Sequence, residues 1–152
     1  MDSPSVSSDL HVVFCAPDQP RLGNLLEIPP SQWPQARLLK KDKGTTVSLI
    51  TLDSTPIVVK HQTIATWRQR ADARLRGSPA RRAWEGAQLL ARQGFSAPRP
   101  LGVFERRVAR RIKESWYCSE GLLTQPPLPE YWQDRCRSWT LPQRRAFLRA
   151  LA

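Results

Sequence analysis

Two residues of opposite charge stand where nucleotide chemistry would need them. Lys60 ends the apolar run Pro56-Ile57-Val58-Val59-Lys60, and Glu85 lies inside a helix opened by Ser78-Pro79. A lysine ammonium is a compact charge that suits two neighbouring phosphate groups, and a helix carboxylate can hold it in place. In a strand, side chains alternate between faces, so Val58 shares a face with Lys60, while Ile57 and Val59 share the other. A strand-end lysine alone is ordinarily a solvated one, and a helix glutamate alone is ordinarily exposed. The order of the elements that carry them gives the pair its meaning.

No other chemistry-bearing set has comparable spacing. Cys15, Cys118 and Cys136 are odd in number and far apart, which suits free thiols in a reducing compartment. His11 and His61 have no neighbouring cysteine or histidine in a ligand pattern, so no metal site is expected. Lys and Arg total 24 against 13 Asp and Glu, a formal charge of +11. That balance favours anionic partners: nucleotides, nucleic acid, phosphorylated glycolipid or a membrane surface. Hydrophobic residues make up 40% of the 152, enough for a folded domain with its own core. No apolar run approaches the length of a membrane span, and the N-terminus lacks the basic and apolar regions of a secretory signal.

The elements follow from pattern and punctuation. Residues 1–36 read as an extension, with Leu10–Phe14 as a short strand and Asn24–Ile28 as a turn of helix or an extended segment. Residues 37–61 read as three strands joined by the turns Asp42-Lys43-Gly44 and Asp53-Ser54-Thr55, an antiparallel meander. Residues 64–76 read as a basic helix. Ser78 as N-cap and Pro79 at the first helical position start a second helix, whose stripe Ala80, Ala83, Trp84, Ala87, Leu90 and Ala91 is expected to be buried, with Gly94 as its stop. Leu101–Glu105 and Ser115–Cys118 read as strands. The run Arg106–Lys113 between them reads as a basic turn or hairpin loop. Glu120–Leu123 reads as a linker, Glu130–Arg137 as a short helix, and Pro142–Ala152 as the first turns of another.

Three strands with a terminal lysine, a basic helix, a helix with glutamate, two strands and a linker is the order of a protein-kinase-like small lobe. The stretch Arg74–Glu85, continued by Leu89–Leu101, resembles the bacterial lipopolysaccharide core kinases, the Kdo/heptose kinases. The resemblance spans roughly residues 37–152. It implies an α+β fold, a five-stranded antiparallel sheet plus helix with the beginning of a helical large lobe. The implied divisions are residues 1–36 as an extension, 37–118 as the small lobe, and 119–152 as hinge and truncated start of the large lobe. The implied activity is phosphoryl transfer from ATP to an inner-core sugar. Lys60 would meet the α- and β-phosphates and Glu85 would orient it. Val58 would line the adenine pocket, with Ser119 at its back. Glu120 would offer a backbone carbonyl to adenine, and Leu122 a backbone N–H.

Two departures qualify this. The first hairpin turn has only Gly44, with no glycine-rich phosphate loop. No segment resembles His-Arg-Asp or Asp-Phe-Gly, so the catalytic aspartate and the magnesium ligands are missing from these residues. The apolar face of 144–152 has no partner in the sequence, so the chain is expected to be truncated, inactive alone, and poorly soluble or oligomeric. A non-catalytic remnant or binding module is the alternative. Nucleic-acid binding by the basic helix, the 106–113 run and the tryptophans ranks behind it, because Trp84 and Trp116 read as core. Arg68, Arg70, Arg74, Arg106, Arg107, Arg110 and Arg111 would suit an anionic lipopolysaccharide precursor or the cytoplasmic face of the inner membrane.

Overall fold

The computed structural model describes residues 9–94, 97–121, 139–143 and 145. The described residues through Gly121 form one compact unit; residues 139–143 and 145 belong to a second. In the second unit, Thr140 donates its backbone N–H to Gln143 Oε1 at 2.9 Å, in front of the helical residues 141–143 and 145. The expected helix 130–137 and the hinge residue Leu122 lie outside the described residues.

The first unit is α+β. Its strands are β1 (Asp9–Cys15), β2 (Arg37–Asp42), β3 (Thr45–Leu52), β4 (Thr55–Thr63), β5 (Pro100–Val108) and β6 (Arg111–Glu120). They form one antiparallel sheet in the order β1-β5-β6-β4-β3-β2. The meander expected over 37–61 is β2-β3-β4. The sheet has six strands rather than the five expected, because Asp9–Cys15 pairs along β5.

One face of the sheet is sealed from the N-terminal side. Antiparallel partners share a face, so the registers place Ile50, Ile57, Val59, Phe104, Trp116 and Cys118 together. All are buried, and Leu22, Leu25, Leu26 and Trp33 pack on them. The leucines come from the short helix α1 (Leu22–Glu27), and Trp33 follows a single 3₁₀ turn at Pro30–Gln32. Trp33 donates its indole N–H to the Leu25 and Ile28 carbonyls at 3.0 and 3.2 Å. The segment up to residue 36, expected as an extension, contributes Ala16, Leu22, Leu25, Leu26 and Trp33 to the core.

The other face receives the helices. α2 (Trp67–Arg76) starts at a capping box, with Thr66 Oγ1 accepting from Gln69 N–H and the Gln69 side chain accepting from Thr66 N–H. α3 (Pro79–Arg92) starts at Ser78, whose Oγ accepts from Arg81 N–H, with Pro79 at the first helical position as expected. Arg82 of α3 pairs with Asp72 of α2, and Asp72 also takes Arg76 at 3.5 Å. α3 packs on β4, β5 and β6. Its Trp84 stacks on Phe14 of β1, with ring centroids 5.4 Å apart. Ala80 is buried and Ala83, Trp84, Ala87 and Leu90 are partly buried, so the expected stripe is the packed one; Ala91 is exposed.

The basic run 106–113 is not a loop. β5 continues to Val108 and β6 starts at Arg111, leaving a two-residue turn at Ala109-Arg110. The strands extend because their charges are satisfied within the β5–β6 hairpin, one pair across the strands and one along β5. Arg106 meets Glu114 at 2.8 Å, and Arg107 meets the buried Glu105 at 2.6 Å. Likewise Ser119 and Glu120, expected in the linker, complete β6.

Candidate functional site

Lys60 sits inside β4, with β3 on one side and β6 on the other. Its cross-strand partners are Val47 and Tyr117. Val58, two residues earlier on the same face, is flanked by Leu49 and Ser119. Tyr117 pairs onward to Val103, and Val103 to Phe14, whose ring carries Trp84 of α3. Lys60 therefore points to the side of the sheet on which α3 packs.

Lys60 is partly buried, and no carboxylate comes within ion-pair distance of it among the described residues. Val47, Leu49, Val58 and Tyr117 around it are also partly buried. Burial pushes the Tyr117 phenol up, with Cys118 adding to it. The result is a sheltered apolar strip with one cation at its end. Val58 and Lys60 are separated by about 7 Å along the strand.

The other end of that strip is the end of β6. Glu120 lies opposite Ile57, its N–H donates to the Arg99 carbonyl at 3.0 Å, and Gly121 N–H donates to the Pro56 carbonyl at 2.8 Å. The Glu120 carboxylate is held by Arg99 at 2.9 Å, and Arg99 also takes Asp18 at 2.6 Å. The hydrogen bond from Arg99 holds the Asp18 carboxyl below its ordinary range. Ser119 is buried beside Val58.

Glu85 departs from expectation. Its carboxylate is exposed and bonds to Arg81 Nε at 3.0 Å, one turn earlier on α3. There is no Lys60–Glu85 ion pair. The physical reason is local: an arginine four residues away on the same helix needs no tertiary movement to reach the glutamate. The structure thus brings Lys60, Val58 and Ser119 to one sheet face, puts Glu120 at the end of β6 with its side chain on the opposite face, and leaves the Glu85 carboxylate exposed on α3.

The turn that would lie over phosphates is Lys43-Gly44. Gly44 has φ +73, and its carbonyl accepts from Thr63 N–H at 2.8 Å, so the hairpin tip is tied to the far end of β4. A two-residue turn of this kind needs positive φ, which glycine supplies without strain.

A second polar cluster was not legible in the sequence. His61 Nε2 lies 3.1 Å from Glu114 Oε1, Glu114 also holds Arg106, and the Arg106 guanidinium sits 5.1 Å over the Trp116 ring. His61 itself stacks on Trp116 at 4.9 Å. These residues are distant in sequence and meet only through the β4-β6-β5 register. They border a cavity of about 190 Å³ under Pro29, Pro30 and Trp33.

The largest basic concentration lies elsewhere again. A cavity of about 620 Å³ opens between α2 and the β5–β6 turn, lined by Arg70, Arg74, Arg110 and Arg111 with Trp67 and Ile112. Of the arginines expected to face one anionic surface, Arg106 and Arg107 are instead consumed by carboxylates within the sheet.

Among the described residues no group of three or more His, Cys, Asp or Glu is placed to hold a metal ion, and no helix is long and apolar enough to cross a membrane. Comparison of the chain with protein-family models, with curated proteins and with solved structures gives no match.

Proposed function

We propose that this chain is the nucleotide-holding lobe of a kinase-type phosphotransferase, of the sort that phosphorylates lipopolysaccharide core sugars with ATP. The observation that carries the reading is Lys60: a partly buried ammonium, without a carboxylate partner, at the end of an apolar strip. Sheltering a charge is unfavourable unless an opposite charge meets it. A nucleotide offers what the strip lacks, a flat apolar base and an anionic chain. The base would lie against Val58 and Leu49 near the end of β6, where the Glu120 backbone carbonyl would address its edge. The α- and β-phosphates would then reach Lys60. The central strand with lysine, the crossing helix α3 and the strand pair β5-β6 ending at Glu120-Gly121 support the kinase-like resemblance.

Glu85 has no part in this proposal, since Arg81 holds it. Lys60 is the sole charged contact assigned to the phosphates. Phosphoryl transfer further needs metal ions and a group to position the acceptor hydroxyl; the residues here account for the binding step. Under this reading the chain works where ATP is supplied, in the cytoplasm.

Isothermal titration with ATP, ADP and adenosine tests the reading. ATP and ADP are expected to bind, with adenosine weaker by about tenfold or more, because it lacks the charged contact. Equal affinity for adenosine and ATP, or no binding of ATP, would remove the role of Lys60.

A further inference from the structure

The groove between α2 and the β5–β6 turn stands apart from the nucleotide reading. Lys60 does not line it. Four guanidinium groups surround it, from Arg70 and Arg74 on one wall and from Arg110 and Arg111 on the other. Among the described residues none of the four has a carboxylate within ion-pair distance, although other arginines of this unit do: Arg21, Arg76, Arg81, Arg82, Arg99, Arg106 and Arg107 take Asp53, Asp72, Glu85, Asp18, Glu120, Glu114 and Glu105. The described lining of the groove contains no Asp or Glu, so its charge is of one sign.

Both walls carry features that folding alone disfavours. Arg70 and Arg74 are four residues apart on α2, where like charges repel. Ala109 and Arg110 form the turn with φ +48 and +63, a conformation that side chains other than glycine, asparagine and aspartate rarely adopt. That turn places Arg110 and Arg111 opposite α2. The groove floor adds apolar surface from Ile112 and from Trp67, a tryptophan 72% exposed at the first residue of α2. A volume of about 620 Å³ is that of a small-molecule pocket, and arginine forks match phosphate oxygens two at a time.

We propose that this groove binds a ligand carrying two or more phosphate groups on a ring or apolar body, with Arg70 and Arg74 on one phosphate, Arg110 and Arg111 on another, and Trp67 against the body. Such clustered phosphates occur on soluble phosphorylated molecules and on lipid headgroups alike.

The test uses the whole chain in a Lys60→Ala background, so that the nucleotide site contributes nothing whichever way that reading falls. Tripolyphosphate is titrated calorimetrically, and phosphatidylcholine vesicles with and without phosphatidylinositol 4,5-bisphosphate are tested by co-sedimentation. Arg70→Ala/Arg74→Ala and Arg110→Ala/Arg111→Ala are compared with Arg37→Ala/Arg92→Ala, two exposed arginines outside the groove, which removes the same charge. Either groove pair is expected to weaken binding by about tenfold or more, and the control pair by about threefold or less. Two separate groove pairs are used so that a fold defect in one, visible by circular dichroism, leaves the other to decide. Groove-dependent binding of tripolyphosphate supports the site and assigns it to soluble ligands; groove-dependent binding of phosphatidylinositol 4,5-bisphosphate vesicles alone supports it and assigns it to headgroups. Equal losses in groove and control pairs, or no binding of either probe, overturn it. Tighter binding of a single-stranded oligonucleotide than of tripolyphosphate would overturn it in favour of a nucleic-acid surface.

Discussion

Lys60 and Gly102 show what single residues decide here. Lys60 was legible because a cation closing an apolar strand stands out in sequence, and period two placed Val58 on its face, as the registers with Val47, Leu49, Tyr117 and Ser119 bear out. Its expected partner Glu85 was not legible, because sequence spacing does not reveal that Arg81, one turn away, takes the carboxylate first. Gly102 carried no sequence signal at all. A Cβ there would lie 2.4 Å from Phe104 Cε2 and 3.5 Å from Leu22 Cδ1, so the Phe104 ring rests on the bare backbone of the adjacent position on its own face. Gly102→Ala is expected to destabilise the protein by about 1–3 kcal/mol through forced repacking, read from chemical denaturation. An unchanged midpoint would mean that the ring does not pack there.

At the scale of elements, helices were clearer in the sequence than strands. Ser78-Pro79 and the alanine-rich stripe define α3 because caps and helical periodicity are local properties. The ends of β5 and β6 were obscure because charged residues at 106–113 read as solvated turn. The Arg106–Glu114 ion pair exists only once the hairpin has formed, and Arg107 meets Glu105 only when β5 is extended. The placement of β1 was obscure for a similar reason: seven residues from Asp9 to Cys15 gain meaning as a strand only along the edge of β5. The Phe14–Trp84 stack ties this N-terminal strand to α3. A double-mutant cycle with Phe14→Leu and Trp84→Leu is expected to show a coupling of about 0.5–1.5 kcal/mol. Additive effects would show that the stack contributes no coupling between β1 and α3.

For the molecule as a whole, acid is the informative perturbation. The hydrogen bond from Arg82 holds the Asp72 carboxyl below its ordinary value of 3.8, and that from Arg99 does the same for Asp18. The folded state thus holds these protons less tightly than the unfolded chain. The stabilisation from both pairs is complete above pH 3.8 and is lost as pH falls through the lowered folded values. The melting temperature is therefore expected to fall on acidification below about pH 4, and Asp72→Asn should flatten that fall; an unaltered slope would show that the α2–α3 pair contributes nothing. Under the two proposals, the excess of positive charge, +11 over 152 residues, meets anions at the sheet lysine and in the arginine groove. The nucleotide role is the central one, and it is tested most directly by calorimetric titration of ATP into wild type and Lys60→Met, which keeps the side-chain length and removes the charge. The account predicts binding to wild type and affinity about tenfold to a hundredfold weaker in the variant, at an unchanged melting temperature. Equal affinity in the two proteins would contradict it.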